Sequence, residues 1–304
     1  LELFSLRPYH DRFFNLLAGF NFWPALGLGI FSVRCLGGFW PDVCGRSLSH
    51  GYFGRSNHRQ PARRIAAVYF KNVFTMNAII LCGGLSTRLG EITKSIPKVL
   101  LEIKNRTVLD WQLLKLKKIG VKEVVLAAGH LSEALQREIG GERDGLKIIY
   151  AVEPERLGTG GAIKFAWQFL TNPNGPTIVL NGDILTTVDI TEMLKFLKPK
   201  SDGVILGSLV PDAAAYGTLE YDQNYRLLKF KEKEGQHVSG FINGGFYIFN
   251  PHVAKHFPTA AAFSVEYDVF PKMEELDVYE SDKPWIDIGL PERLAWAREN
   301  WQEA

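Results

Sequence analysis

The sequence predicts an α/β fold. From Asn77 to Asp183, short apolar runs alternate with segments of helical periodicity, which is typical of a mainly parallel, Rossmann-like central sheet covered by helices on both faces. After Asp183 the strands are separated only by short turns, which favours a smaller antiparallel lid region. The chain of 304 residues, 46% of them hydrophobic and 22% charged, is long and apolar enough to bury a large core.

The individual elements follow from apolar runs, caps and glycine stops. In the alternating part we predict strands at 77–82, 123–129, 146–153 and 177–183, and helices at 107–120, 131–140 and about 159–170. The later part contains predicted strands at 203–210, 216–222, 225–232 and 241–250, and predicted helices at 265–273 and 290–301. Because ligands of such sheets bind beyond the carboxyl ends of the strands, the loops after the first and fourth strands are candidate binding loops.

Residues 1–75 differ from the rest of the chain. They contain nine Lys or Arg and three Asp or Glu, and they show no sustained helix or strand period. An uncharged stretch of 21 residues, 13–33, is long enough to cross a bilayer, so a membrane anchor and a signal peptide both stay open. We interpret 1–75 as an N-terminal extension that is non-catalytic or not native, and 76–304 as one catalytic domain.

Charge and cysteine content narrow the class of protein. Outside residues 1–75 the chain carries 26 basic and 30 acidic side chains without a basic block, so we expect no nucleic-acid partner. Three cysteines are too few for a disulfide framework and lack zinc-finger spacing, which favours a reducing compartment and a cytoplasmic location. We expect no membrane contact for 76–304, and a homo-oligomer stays open.

The stretch from Asn77 to Gly90, NAIILCGGLSTRLG, is the clearest candidate site. Consecutive glycines after a strand let backbone N–H groups approach an anion, and an arginine and a lysine that follow, Arg88 and Lys98, add charge suited to phosphate. The alternative is a tight turn with a surface arginine. The spacing matches neither a GxGxxG motif nor a P-loop.

Two aspartates at predicted strand ends, Asp183 and Asp287, are candidate metal ligands. Mg²⁺ prefers one or two carboxylates together with substrate phosphate oxygens and water. Turn and helix-cap roles are the alternatives, because Asp is common at both kinds of position.

Several motifs in one order resemble the sugar-1-phosphate nucleotidyltransferase family. They are GGLSTRLGEITKSIPKVLLEI, LGTGGAI, LNGDIL, YGTLEYD, FKEK, INGGFYIFN, FSVEYDVFP and WIDIGLPERL, and they cover 76–304. Within that family, LGTGGAI and IDIGLPE look most like D-glycero-D-manno-heptose 1-phosphate guanylyltransferases, with mannose-1-phosphate guanylyltransferases close behind. The resemblance implies transfer of a nucleoside monophosphate, with GTP favoured as donor, to a sugar 1-phosphate.

The resemblance also implies a role for each matching position. The implied catalytic residues are Arg88, Lys98 and Asp183, and the implied Mg²⁺ ligands are Asp183 and Asp287. The implied nucleotide-binding residues are Gly83, Gly84, Ser86, Thr87, Arg88, Gly158, Thr159, Gly160 and Gly161. The implied sugar-phosphate-binding residues are Gly217, Glu232, Lys233 and Asn243. Glu266 is implied either to bind or orient substrate or to be a charge at a helix N-terminus.

Departures from the family pattern leave other functions open. Ser86 stands where a glycine is usual, and no proline follows Lys233. One alternative is a nucleotidyltransferase for a non-sugar acceptor of the molybdopterin type. The other is a non-catalytic regulatory subunit that binds a nucleotide sugar.

Overall fold

A computed structural model of the protein describes residues 76–84, 86–231, 235 and 237–302. All of them belong to one compact unit, Asn57–Ala304. The predicted N-terminal extension and its apolar stretch lie outside the described residues, so the division of the chain near residue 76 stays a prediction. Among the described residues, every helix is too short or too polar to cross a membrane.

Strands and helices alternate through the first half of the described chain, and strands dominate the second half. The strands are β1 Asn77–Leu81, β2 Glu102–Ile103, β3 Arg106–Thr107, β4 Glu123–Ala128, β5 Glu142–Arg143, β6 Leu146–Val152, β7 Thr177–Asn181, β8 Ile184–Thr186, β9 Gly203–Val210, β10 Thr218–Tyr221, β11 Leu227–Lys231, β12 Gly240–Phe249, β13 Leu276–Ser281 and β14 Trp285–Asp287. The α-helices are α1 Val108–Lys118, α2 Ser132–Ile139, α3 Gly158–Trp167, α4 Ile190–Phe196, α5 Val265–Asp268 and α6 Pro291–Asn300.

The strands of the first half form a parallel sheet. β1 lies between β4 and β7 and is parallel to both, and β6 continues the parallel order beyond β4. Ala78 and Ile80 belong to the hydrophobic core on one face of β1, whereas Ile79 belongs to the core on the other face. Both faces of the sheet are therefore covered, which explains why the strands are continuously apolar, and the predicted fold class is confirmed.

The antiparallel strands extend this same sheet. β12 pairs antiparallel with β7 on one side and with β9 on the other, and β10 joins β12 and β11. The register of β12 against β9 shifts between Asn243 and Tyr247, where Gly245 has a φ of +66°. A left-handed backbone of this kind favours glycine, and only residues 246–249 of β12, after this shift, pair with β7.

One predicted helix cap is confirmed, and one predicted helix is too long. Thr107 caps α1 with a reciprocal bond to Asp110, as the sequence predicts for its start. The helix predicted over 265–273 is wrong in length, because α5 ends at Asp268 and a 3₁₀ turn follows at Phe270–Lys272. Pro271 has no N–H and cannot continue an α-helix, which accounts for the break.

The topology places the candidate site at one edge of the sheet. Because β1, β6 and β7 are parallel, the loops that follow them emerge at the same edge. The short ribbon of β8 and β14 crosses this edge, with Asp287 opposite Ile184, and the Ile288 N–H donates to the Asp183 carbonyl at 3.0 Å. Two aspartates far apart in the sequence are thereby brought together.

Candidate active site

A first cavity of about 300 Å³ lies at the carboxyl edge of the parallel strands. Its lining combines the loop after β1, the start of α3 and the end of β7, and includes Gly83, Gly84, Ser86, Lys98, Gly158, Thr159 and Asp183. Most of the residues that the family resemblance assigns to the nucleotide therefore line one cavity. Thr87, Arg88, Gly160 and Gly161 do not line it.

The glycines around this cavity serve different purposes. At Gly84, an added Cβ would meet no atom within 4 Å, so the bare backbone there faces open space. At Gly158, φ is +71° and a Cβ would lie 2.6 Å from the Phe263 carbonyl oxygen. The N–H groups of Gly160 and Gly161 both donate to that same oxygen. The first glycine is open to a ligand, whereas the others hold the loop against the segment before α5.

Ser86 carries backbone strain in the glycine loop. Its φ is +53° and its ψ +30°, which is the left-handed region that costs a residue with a Cβ about 1–2 kcal/mol. This conformation explains why a glycine is usual at the position in the family that the chain resembles. The serine side chain lines the cavity and donates to the Gly84 carbonyl oxygen at 3.4 Å.

Basic and acidic side chains converge beside Gly289. The Lys98 ammonium donates to Asp183 Oδ2 at 2.6 Å. A Cβ added at Gly289 would lie 2.8 Å from Asp287 Oδ1, 3.3 Å from Arg88 Nη2 and 3.4 Å from Lys98 Nζ. The two predicted cations and the two predicted metal ligands therefore lie around one point at the sheet edge, where a Cβ would displace the Asp287 carboxylate.

A second cavity of about 270 Å³ adjoins the first. Asn181 and Asp183 line both cavities. The residues of the second cavity come from several distant segments, and they include Arg88, Tyr216, Gly217, Phe230, Asn243, Glu266, Trp285, Asp287 and Arg293. Arg88, which the sequence assigns to the triphosphate, thus lines the second cavity and is absent from the lining of the first.

The predicted sugar-phosphate residues divide into two groups. Gly217 and Asn243 line the second cavity, and the Asn243 N–H donates to the Gly217 carbonyl oxygen at 3.0 Å. The Asn243 amide group also donates to the Tyr247 hydroxyl at 3.0 Å. Glu232 and Lys233 lie outside the described residues, so their assignment stays a prediction.

A hydrogen-bond network connects the two cavities. The Thr159 hydroxyl, on the wall of the first cavity, donates to Glu266 Oε2 at 2.7 Å, and Glu266 lines the second cavity. Ser264 caps α5 and also donates to Glu266 Oε2, at 2.6 Å. Glu266 is therefore fixed at the N-terminus of α5 and also placed in the site, so both roles left open by the sequence are compatible with its position.

Several lining residues with ionisable side chains were not assigned from the sequence, among them Glu153, Tyr216 and Arg293. Glu153 follows β6 and lines the first cavity, while Tyr216 and Arg293 line the second. Burial raises the pKa of the Glu153 carboxyl, although a hydrogen bond from the Leu157 N–H opposes the shift. Glu153 directly follows a parallel strand, and that signal is available in the sequence. Tyr216 and Arg293 have no comparable signal.

The Asp287 carboxylate lies in a densely bonded environment. The Gly289 N–H donates to its Oδ1 at 2.9 Å, and the Arg293 guanidinium pairs with its Oδ2. Burial, followed by the nearby Asp287 carboxylate, raises the pKa of the Tyr216 hydroxyl above its usual range, so Tyr216 is neutral and can donate a hydrogen bond.

Comparisons with known proteins agree with this geometry. Residues 77–303 match the Nucleotidyl transferase family. The D-glycero-alpha-D-manno-heptose 1-phosphate guanylyltransferase of Aneurinibacillus thermoaerophilus is 35% identical over 75% of this chain and 99% of its own length. The mannose-1-phosphate guanylyltransferase catalytic subunit beta of Danio rerio is 37% identical over 71% of this chain, which spans only 62% of that relative.

The fold is also similar to that of solved structures. HddC from Yersinia pseudotuberculosis, solved in complex with GMP-PN, is 31% identical, with a TM-score of 0.65 over 73% of this chain and 98% of its own. The residues matched by the family, 77–303, contain the glycine loop, the residues that line both cavities and the α6 helix. The chain belongs to the nucleotidyl transferase family.

Proposed function

We propose that the protein transfers GMP from GTP to a sugar 1-phosphate and so produces a GDP-sugar and pyrophosphate. The observation that carries this proposal is the pair of adjoining cavities that share Asn181 and Asp183. Transfer of GMP from one substrate to another requires two binding sites that meet at the reacting α-phosphorus. The names of the guanylyltransferase relatives and the GMP-PN complex of HddC support this choice of donor and acceptor.

The chemistry needs no nucleophilic side chain. An oxygen of the sugar phosphate attacks the α-phosphorus of GTP, a new P–O bond forms, and the bond to pyrophosphate breaks in line with it. The protein positions two polyanions and offsets their charge. Lys98 lies at the junction of the cavities beside Asp183, and Arg88 lies across from it near Gly289. We infer that both cations neutralise the charge that develops on the phosphates.

The number of carboxylates at the site fits a Mg²⁺ ion. Within the described residues no group of three or more His, Cys, Asp or Glu side chains is arranged to hold a metal by itself. Asp183 and Asp287 supply two carboxylates, and Mg²⁺ completes its shell with substrate phosphate oxygens and water. Asp183 and Asp287 would hold the ion. When bound, Mg²⁺ would neutralise phosphate charge and polarise the α-phosphate.

Glu153 favours guanine as the base. A Cβ on Gly83 would lie 2.9 Å from Glu153 Oε1, and Glu153 Oε2 accepts from the Leu157 N–H at 3.3 Å. One carboxylate oxygen therefore lies against the glycine loop inside the first cavity. Guanine carries two adjacent donors, N1–H and the N2 amino group, and a carboxylate is the acceptor that matches them. Uracil and thymine offer one N–H between two carbonyls and match it less well.

The test is pyrophosphate release by the full chain. The protein is incubated with Mg²⁺, each of GTP, ATP, CTP, UTP and dTTP, and each of several sugar 1-phosphates, including mannose 1-phosphate and D-glycero-D-manno-heptose 1-phosphate. We expect release with GTP and at least one sugar 1-phosphate, and none without the acceptor. Release only with a molybdopterin-type acceptor would favour the first alternative. Nucleotide-sugar binding without any release would favour the regulatory subunit. A homo-oligomer and a cytoplasmic location stay predictions.

A further inference from the structure

Arg293 occupies an unusual position in the second cavity. It belongs to α6 and lines the cavity, and about a fifth of its side chain is accessible to solvent. Its guanidinium pairs with Asp287 and lies over the ring of Tyr216, with 4.8 Å between Arg293 Cζ and the ring centroid. The arginine is therefore bound at one edge and on one face, while part of it remains accessible.

The ring beneath Arg293 is itself held in place. Tyr216 packs edge-on against Trp285 with 5.3 Å between ring centroids, and the Trp285 indole N–H donates to the Gly244 carbonyl oxygen at 2.9 Å. This stack fixes the guanidinium without using its remaining N–H groups. Across the described part of the chain, Asp287 is its only hydrogen-bond acceptor, although a guanidinium carries five N–H donors.

In the described part of the chain, more acidic than basic side chains line the second cavity, so a cation that binds phosphate matters there. Among the described lining residues, Arg88 and Arg293 face three carboxylates, those of Asp183, Glu266 and Asp287. A sugar 1-phosphate carries a dianionic phosphate, so this lining needs each of its positive groups to bind it. A planar guanidinium matches two phosphate oxygens in parallel, which a lysine cannot do.

We propose that Arg293 binds the phosphate group of the acceptor and thereby distinguishes a sugar 1-phosphate from a free sugar. This inference rests on the proposed function, because it takes the second cavity as the acceptor site. Asp287 and Tyr216 hold the guanidinium in position, and its unbonded N–H groups donate hydrogen bonds to the phosphate oxygens. Arg293 is then a binding residue for the reaction, in addition to Arg88 and Lys98.

The experiment compares the full chain with its Arg293→Gln and Arg293→Lys variants. For each protein, KM is measured separately for GTP and for mannose 1-phosphate, and calorimetry measures binding of mannose 1-phosphate and of mannose. We expect Arg293→Gln to raise the KM and the Kd for mannose 1-phosphate at least tenfold, because hydrogen bonds to charged groups are lost. Arg293→Lys keeps the charge and should lose less. The KM for GTP and the Kd for mannose should change less than twofold.

Arg298→Gln on the same helix is the matched control, because Arg298 is exposed and its Nε–H donates only to the Glu102 carbonyl oxygen. It should leave every constant unchanged, and thermal melting confirms that all variants fold. If Arg293 only held Asp287 in place, kcat would fall while binding of mannose 1-phosphate stayed intact, and the proposal would be overturned. A parent chain that released no pyrophosphate would refute the proposed function instead, while the binding comparison would still test the arginine.

Discussion

The two cavities are built in different ways. The first is formed by glycine-rich loops that directly follow parallel strands, and bare backbone provides much of its wall. The second is formed by side chains from β8, the 215–217 loop, β11, β12, α5 and α6. The proposed triphosphate site therefore depends on the path of the backbone, whereas the proposed acceptor site depends on which side chains distant segments contribute.

This difference explains how one fold can keep its donor chemistry while its acceptor changes. Backbone N–H groups at strand ends bind phosphate whatever the neighbouring side chains are. A cavity made of separate side chains can change one residue at a time without disturbing the sheet. Substitutions of Asp183, of the glycines of the first cavity and of Glu153 should therefore have distinct effects of decreasing size.

The largest effect is expected for Asp183→Asn, because Asp183 lines both cavities and pairs with Lys98. Loss of the charge removes a proposed metal ligand and leaves Lys98 without its partner. We expect kcat to fall by about 10²–10³-fold, a typical result when one preorganised charged group is removed from an active site. The rate of pyrophosphate release measures kcat. Asp144→Asn, at an exposed turn, is the control, and near-normal turnover of Asp183→Asn would contradict the account.

The second-largest effects are expected at two glycines of the first cavity. Gly158 packs against the protein, whereas Gly84 is open to a ligand. Gly158→Ala forces a Cβ to 2.6 Å from the Phe263 carbonyl oxygen at a φ of +71°, so we expect a loss of stability of about 2–4 kcal/mol, measured by chemical denaturation. Gly84→Ala meets no protein atom within 4 Å. It should unfold like the parent and yet raise the KM for GTP, because the new methyl group intrudes on the ligand. An unchanged KM would argue against a nucleotide at this loop.

A smaller effect is expected at Glu153, which tests the choice of base within the first cavity. Glu153→Gln replaces one acceptor oxygen by an amide N–H donor that opposes the guanine amino group. A good bidentate base contact is worth about 1–3 kcal/mol of discrimination, so the preference for GTP over ATP should fall by about tenfold or more. The measurement is kcat/KM for both nucleotides. Glu155→Gln, two residues away and exposed, is the control. An unchanged preference would place base recognition elsewhere.

The smallest effect lies away from both cavities, at Asp202. Burial of this carboxyl would raise its pKa, but hydrogen bonds from the Glu275 N–H and His256 outweigh burial and hold the pKa below its usual range. A carboxyl with a lowered folded pKa stabilises the protein above its unfolded pKa of about 3.9, and this contribution is lost as the pH falls through the folded value. Asp202→Asn should therefore narrow the stability difference between pH 6 and pH 3. An identical pH dependence would contradict this.

The sequence predicted the first cavity far better than the second. The strand ends, the glycine loop and the Thr107 cap are local patterns, and each lies where its pattern indicates. The β13 strand was missed, because its alternation is short and its parallel partner β9 lies about seventy residues earlier. The left-handed backbone of Ser86 also has no signal in the sequence except the departure from a family glycine.

The second cavity could be predicted only through the resemblance. Gly217 and Asn243 were assigned in that way and do line the second cavity. Arg293 and Tyr216 were not assigned, because their roles arise from a contact between α6 and the loop before β10. Such a contact depends on tertiary packing between distant segments, and no spacing in the sequence encodes it.

Amide hydrogen exchange of the full chain with one ligand at a time tests the division between the cavities most directly. GTP should slow exchange in residues 83–84 and 158–159, and mannose 1-phosphate should slow it in residues 215–217 and 243–245. A result in which both ligands protect the same segment, or GTP protects only the second cavity, would contradict the account.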